Sequence, residues 1–277
     1  MLSSYLSEIN REVTWKKKLS FIYILALSFC VVLTGCNERE SEELRAEDIT
    51  INIKVRAVND NDVSLDVKMH KANNPLLTVN LTGEDQLLAS NGIETIELQS
   101  KTDEFNLIEY EGRLPLRQES SYQVIFSRND NRYESSVEIP TLLNIVSPLS
   151  EQFFRDPFQE FRLAWEANVL EYTHLELELG GACRLSNDLT LSVSRVLGLT
   201  PDANEYFSPI ASLIDFDELL SRVGINKNSK NDIKVESCDV DLALNAITQK
   251  AVNADFRGGT IRGIKSEKIS LSYLFNE

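Results

Sequence analysis

The chain has 277 residues and a formal net charge of −15, which is enough length for one large domain or two modest ones. An apolar fraction of 42% and a charged fraction of 26% are typical of a globular protein and exclude a disordered one. The acidic balance excludes nucleic-acid binding, because phosphate contacts need clustered basic side chains, and it disfavours peripheral binding to anionic lipid head groups.

The first residues have the layout of an export signal. The basic residues Lys16–Lys18 precede an uncharged run, Leu19–Leu33, and small residues follow it. A helix over that run of about 15 residues would rise about 22 Å, which is short of the roughly 30 Å hydrocarbon core. The pattern therefore favours a secretory signal over a permanent membrane span.

The end of this signal, Leu33-Thr34-Gly35-Cys36, resembles the lipobox of bacterial lipoproteins. In that family a signal peptidase cuts before the cysteine, which then carries a diacylglycerol on its sulfur and usually a third acyl chain on its amino group. The resemblance implies a signal peptide over residues 1–35, lipidation of Cys36 and a lasting membrane anchor, since two or more acyl chains hold a protein stably. An uncleaved anchor and ordinary secretion are the alternatives.

Two neighbouring features refine that expectation. Aspartate directly after the lipidated cysteine tends to retain such lipoproteins in the inner membrane, whereas this chain has Asn37, which implies the periplasmic face of the outer membrane. Residues 36–48 are predicted to form the lipidated cysteine and a charged tether, because the sequence after Cys36 is neither periodic nor strongly apolar.

From Ile49 the dominant hydrophobic period is two, which indicates half-buried strands. Apolar residues alternate with polar ones over 49–57 and again over 63–70. The segment Asn59–Asp62 between them has turn chemistry; as a calcium loop it would lack the glycine and distal glutamate of an EF-hand. Further strands are predicted over 76–81, 93–98 and 105–110, around 122–126 and over 133–139. Together they predict a β-sandwich over residues 49–142.

A second β-sandwich is predicted over residues 143–277. Its strands are expected at 161–165, 174–179, 189–193, 240–246 and 269–275. One helix interrupts them: Asp215 is placed to cap it, Glu218 occupies the capping-box position, and Gly224 is a natural stop. Phe216, Leu219, Leu220 and Val223 would form its apolar face.

The segment Phe161-Arg162-Leu163-Ala164-Trp165, followed by the strand from Tyr172 to Leu179, resembles bacterial immunoglobulin-like and fibronectin type III-like domains. In those domains an inward aromatic of a Leu-x-Trp strand anchors the core. The resemblance implies a mainly β protein with two immunoglobulin-like β-sandwich domains, the second with a short helical insertion, as in envelope lipoproteins that carry two such domains. A fold alone does not give a function.

Two cysteines remain in the globular part once Cys30 and Cys36 are assigned to the signal and the lipid. Cys183 and Cys238 are expected to form a disulfide in an exported protein, holding the helical stretch against the sandwich. Metal ligation and a redox pair are the alternatives, but there is no C-x-x-C spacing and neither histidine has ligand spacing to them.

The sequence contains no zinc-protease, phosphate-loop, nucleotide-binding or nucleophile-elbow signature, and no cofactor or metal is predicted. Gly258-Gly259 indicates a bulge or tight turn more than a phosphate site. Asp239 and Asp241 could pair as acid and base, but nothing supplies the contrasting environments such a pair needs. Tyr206 and Phe207 are the only candidate ligand contacts, as exposed aromatics or as residues covering a core edge.

Three functions remain open at this stage. The first is a lipid-anchored, non-enzymatic envelope protein that binds an unidentified envelope protein or acts as a scaffold. The second is a lipid-anchored carbohydrate-binding protein using Tyr206 and Phe207. The third is an enzyme of unrecognised type, such as a hydrolase, which would need a deep pocket with coupled carboxylates. Missing catalytic motifs favour the first.

Overall fold

The computed structural model describes residues 38–117, 121–224 and 233–274. The helical insertion consists of α1 (Ile210–Ile214) and α2 (Phe216–Arg222). The strands are β1 Glu38–Glu40, β2 Ile49–Ala57, β3 Asp62–Lys71, β4 Thr78–Asn80, β5 Gln86–Ser90, β6 Thr95–Glu97, β7 Gln99–Thr102, β8 Ile108–Pro115, β9 Ser121–Arg128, β10 Asn131–Glu138, β11 Leu143–Ser147, β12 Gln152–Phe154, β13 Glu160–Ala167, β14 His174–Leu185, β15 Thr190–Leu199, β16 Glu205–Pro209, β17 Val235–Ala251 and β18 Gly258–Leu274.

Strict alternation explains why the central strands form. In β2 the residues Ile49, Ile51 and Ile53 are fully buried, while the intervening polar side chains point to the other face. The antiparallel pairing of β2 with β3 matches Ile51 to Met69 and so aligns the two apolar faces. The period-two pattern therefore builds one buried and one solvent-facing side of the sheet.

One large sheet and two small ones make up the fold. The large sheet has the order β1-β4-β3-β2-β18-β17-β14-β15, with β8 and β7 continuing from β3 and β12 joining β18. A sheet of order β10-β9-β5-β6 and another of order β11-β13-β16 each face it. A hydrophobic cluster lies beneath each small sheet. The predicted fold class, mainly β with two sandwich units and a short helical insertion in the second, is confirmed.

The hairpin of β17 and β18 runs through both units. Each strand has 17 residues, which corresponds to about 55 Å at about 3.3 Å per residue. Near its turn β18 pairs in parallel with β2, and near its other end it pairs with β12. Val252, Phe256 and Ile261 consequently belong to the first cluster, although they lie in the range expected for the second sandwich. The two units share a continuous sheet.

Residues 38–48, expected to be a tether, are folded against the first unit, so that prediction is wrong for this segment. β1 pairs with β4, and Leu44 is part of the first cluster. Arg128 donates to both oxygens of the Asp85 carboxylate and to the main-chain carbonyl oxygens of Ser41 and Leu44. The guanidinium of this distant residue thus satisfies two carbonyl groups of a charged segment that has little apolar content of its own.

Candidate functional site

An open hollow lies in the second unit where the connection between β12 and β13 meets the helical insertion. Its cavity volume is about 720 Å³. The lining residues are Pro157, Phe158, Pro209, Ala211, Ser212, Asp215, Phe216 and Asp217. The hollow therefore combines two aromatic rings and two prolines with two aspartates.

Turn chemistry fixes the connection to the first helix. The side chain of Asp156 accepts a hydrogen bond from the main-chain N–H of Phe158 at 2.8 Å, as in an Asx turn. The N–H of Ala211, in the first turn of α1, donates to the carbonyl oxygen of Pro157 at 2.9 Å, and the N–H of Ile210 donates to that of Gln159 at 3.1 Å. The wall that carries Phe158 is thus held by its own backbone.

Asp215 makes the sharp corner between the two helices. It has a left-handed φ of 63° and ends α1, and its carboxylate accepts the N–H of Glu218 at 3.2 Å to cap α2. The predicted cap is confirmed. Glu218, however, pairs with Arg222 at 2.6 Å instead of reaching back as in a capping box. The ring of Phe216 packs 5.1 Å from that of Tyr273 on β18, which closes the floor of the hollow.

The rim of the hollow carries two aspartates, and an arginine lies beside one of them. Arg195 donates to the carbonyl oxygens of Ser212 and Leu213, at 2.7 and 3.2 Å, and its guanidinium lies 3.8 Å from the Asp215 carboxylate. The guanidinium therefore contacts α1 and the aspartate at its C-terminal end. Asp217 is a second carboxylate in the lining.

The segment that leads from β11 through β12 to β13, and whose last part forms one wall of the hollow, exposes three large apolar side chains. Leu149 is 85% exposed, Phe153 is 71% exposed and Phe158 is 80% exposed. We call residues 148–159 the apolar connection. Leu149 lines a separate cleft and Phe158 lines the hollow, so this segment presents large apolar side chains at two concave surfaces. Apolar side chains exposed at such surfaces are typical of interaction sites.

The sequence-predicted aromatic pair is divided between two faces of β16. Tyr206 packs against the second hydrophobic cluster, whereas Phe207 is 63% exposed and shares its face with Pro209 at the edge of the hollow. Sequence reasoning missed Phe158. Its position directly after the turn signal Asp156-Pro157 was the only feature of the sequence that could have indicated it.

The predicted disulfide between Cys183 and Cys238 is confirmed, with a sulfur–sulfur distance of 2.02 Å. Both cysteines are buried and lie opposite each other in the pairing of β14 with β17. The bond therefore joins neighbouring strands of one sheet, and the prediction that it holds the helices against the sandwich is corrected. The predicted lipidation residue, Cys36, lies outside the described residues.

The carboxylates considered for catalysis are bound to serines. Ser272 donates to Asp239 at 2.9 Å, and Ser270 donates to Asp241 at 2.6 Å. Asp241 lines a separate cleft of about 600 Å³ beside the apolar connection, together with Glu151 and Glu267. Both aspartates are exposed, and neither is in the apolar setting that an acid catalyst needs.

The other sequence motifs have structural roles. The side chain of Asn59 accepts the N–H groups of Asn61 and Asp62, which makes the hairpin turn. Gly259 has a φ of +124° and packs against the backbone of Ile51 within the β18–β2 pairing. Among residues 38–117, 121–224 and 233–274, no cluster of three or more potential ligands could hold a metal ion, and no helix is long and apolar enough to cross a membrane.

No family model and no curated protein matches the chain. Among solved structures, it is similar to a chain of a cytokine receptor complex, with 10% identity and a TM-score of 0.24 over 78% of this chain and 98% of the other. It is also similar to the I-band fragment I67–I69 of titin, with 9% identity and a TM-score of 0.22 over 81% of this chain and 65% of the other. At these scores neither similarity carries functional weight.

Proposed function

We propose that this chain is a lipid-anchored, non-enzymatic protein of the cell envelope that binds a protein partner through the apolar connection and the adjoining hollow. The observation that carries the proposal is the exposure of Phe158 at the wall of the hollow, with Leu149 and Phe153 exposed on the same segment. The lipobox-like sequence ending at Cys36 supports the anchor and, with Asn37, a location on the periplasmic face of the outer membrane.

The β17–β18 hairpin sets the distance between the proposed anchor and the proposed binding surface. The turn of the β17–β18 hairpin lies against the start of β2, where the N–H of Arg257 donates to the carbonyl oxygen of Ile49. Tyr273, beneath the hollow, is 15 residues further along β18 than Gly258, or about 50 Å at about 3.3 Å per residue. A membrane-anchored first unit would hold the hollow well above the bilayer.

The chemistry of the hollow defines the partner. Phe158, Phe216 and the two prolines offer apolar surface, whereas the Asp215 carboxylate is already paired with Arg195. A protein segment that presents an apolar anchor residue fits this surface.

Site-specific photo-cross-linking in intact cells tests this proposal. A benzophenone side chain at position 158 should yield one discrete protein adduct, because that side chain points into solvent at the hollow. The matched control is position 170, whose leucine is 91% exposed on the turn between β13 and β14. An absence of adducts at position 158, or the same adducts at both positions, would contradict a binding surface at the apolar connection.

A carbohydrate ligand is the second candidate, favoured by the exposed ring of Phe207. That ring lies across from Arg162, whose guanidinium pairs with Glu160 at 2.7 Å. A flat aromatic face beside charged hydrogen-bonding groups can stack on a sugar. Retardation of the protein in polysaccharide-containing gels, lost in Phe207→Ala and kept in Phe158→Ala, would favour this candidate over protein binding.

A further inference from the structure

The described part of the chain begins close to the expected anchor. Glu38 is the first residue of β1 and only two positions after Cys36. Two residues of extended chain span at most about 7 Å. If Cys36 carries lipid, the bilayer surface must lie close to the start of β1, with no tether to separate the first unit from it.

The register of β1 identifies which end of the first unit this is. β1 runs parallel to β4 with Glu38 opposite Thr78, so the chain enters β1 from the side on which Leu76 precedes β4. The main-chain N–H of Ile108 reaches the hydroxyl of Thr78 at 3.4 Å, which brings the turn containing Phe105 to the same end. We call this end of the first unit the anchored end.

Two hydrogen-bonded turns at the anchored end present large apolar side chains to solvent. The Asn74 side chain accepts the N–H of Leu76 at 3.2 Å, and the Asp103 carboxylate accepts the N–H of Phe105 at 2.8 Å. Leu76 is 66% exposed and Phe105 is 69% exposed. Asx turns need only their Asn or Asp for stability, so the turn geometry gives no reason for a leucine or a phenylalanine at either position.

The charges around the two turns are mixed in sign. Lys71 and Arg257 are exposed there, and so are Glu38, Glu104 and Asp255. A surface with both signs has little net attraction to anionic head groups. Any contact of this end with lipid must therefore depend on its apolar side chains, which gain free energy when they leave water.

We infer that the anchored end docks on the bilayer by inserting Leu76 and Phe105 beside the lipid on Cys36. This contact rests on the proposed lipid anchor and adds a second and third attachment point to it. Three points define a plane, so the contact fixes the first unit upright. The β17–β18 hairpin then places the hollow of the second unit away from the membrane, where a partner can reach it.

Fluorescence quenching by brominated phospholipids tests the inference in the mature lipidated protein, which begins at Cys36 and therefore lacks Trp15, reconstituted in phosphatidylcholine vesicles. Leu76→Trp and Phe105→Trp should each place an indole among the lipid chains and lose emission when the lipids carry bromine. Wild type supplies the background, since its Trp165 is buried in the second core.

The matched control is Ile93→Trp. Ile93 is 71% exposed and sits on a similar turn, with its N–H donated to the side chain of Asn91 at 3.1 Å. That turn lies at the opposite end of the first unit, because the Asn91 amide also donates to the carbonyl oxygen of Pro115. Tryptophan at position 93 should keep its emission.

The outcomes separate the docking contact from the anchor. Quenching at positions 76 and 105 but not at 93 supports the inference. Vesicle-bound protein with no quenching at 76 and 105 overturns it and leaves the anchor intact, and equal quenching at all three positions overturns the upright orientation. Cys36→Ser protein that still fractionates entirely with membranes after the signal peptide has been removed would instead contradict the proposed anchor.

Discussion

Removal of the Cys183–Cys238 disulfide should lower the stability of the second unit by a calculable amount. The bond closes a loop with a sequence separation of 55. On the chain-entropy model a loop of that length costs the cross-linked unfolded chain about 14 cal/mol/K, which is about 4 kcal/mol of native-state stabilisation at 25 °C. For a protein of this size, about 4 kcal/mol corresponds to a fall in Tm of about 8–16 °C.

The double variant Cys183→Ala, Cys238→Ala isolates this contribution. Urea unfolding followed by the emission of the buried Trp165 reports directly on the core that surrounds the bond. Wild type unfolded and refolded under reducing conditions is the control, because it loses the cross-link and keeps both buried sulfur atoms. We expect both samples to lose a similar amount of free energy of unfolding.

A loss below about 1 kcal/mol would refute the entropic reasoning. It would mean that β14 and β17 remain close in the unfolded chain, so that the bond adds little constraint. Two free thiols in protein purified from the envelope would refute the bond itself.

Three further substitutions test the fold. Arg128→Met leaves the Asp85 carboxylate buried without its cation and should cost about 3–5 kcal/mol in urea unfolding; an unchanged midpoint would contradict the anchoring of residues 38–48. Burial raises the pKa of Asp66, more than the neighbouring arginine and lysine lower it, so its ionised form destabilises the folded state. Asp66→Asn should therefore raise Tm at pH 7, with a gain that shrinks as the pH falls through the raised pKa and disappears below the unfolded value of about 3.8; a gain that does not vary with pH would be inconsistent with that cause. Gly259→Ala places a Cβ 1.7 Å from a carbonyl oxygen of β2 at a φ of +124° and should cost more than about 1 kcal/mol, whereas Gly258→Ala meets nothing within 4 Å and should be close to neutral in the same thermal melts.

Hydrophobic alternation was sufficient to predict most of the long strands, because a half-buried strand must place every second residue inside. The predicted strand over 189–193 was too short, however: β15 extends to Leu199, and the irregular stretch after it contains β16. The two edge-like strands β12 and β16 are short, and three to five residues do not show a period.

The candidate site was only partly accessible from the sequence. The Asp215 cap could be predicted because its hydrogen bond is made within one helical turn. The exposure of Phe158 could not, since an aromatic residue after a turn is equally compatible with covering a core. Tyr206 and Phe207 were predicted together as ligand contacts. They are adjacent residues of one strand, so their side chains face opposite ways.

The sequence by itself determined the mainly β class, the helix cap and the cysteine pairing, because each depends on local spacing or on a choice among few partners. Only the tertiary structure decided that one hairpin serves both units and that residues 38–48 are folded. The alternation of β18 shows that it is half-buried but not that β2 and β12 lie along its edge. Likewise, the carbonyl groups of Ser41 and Leu44 find their donor in Arg128, more than 80 residues away. Strand pairing and buried ion pairs join distant parts of the chain, and no local period records which parts they join.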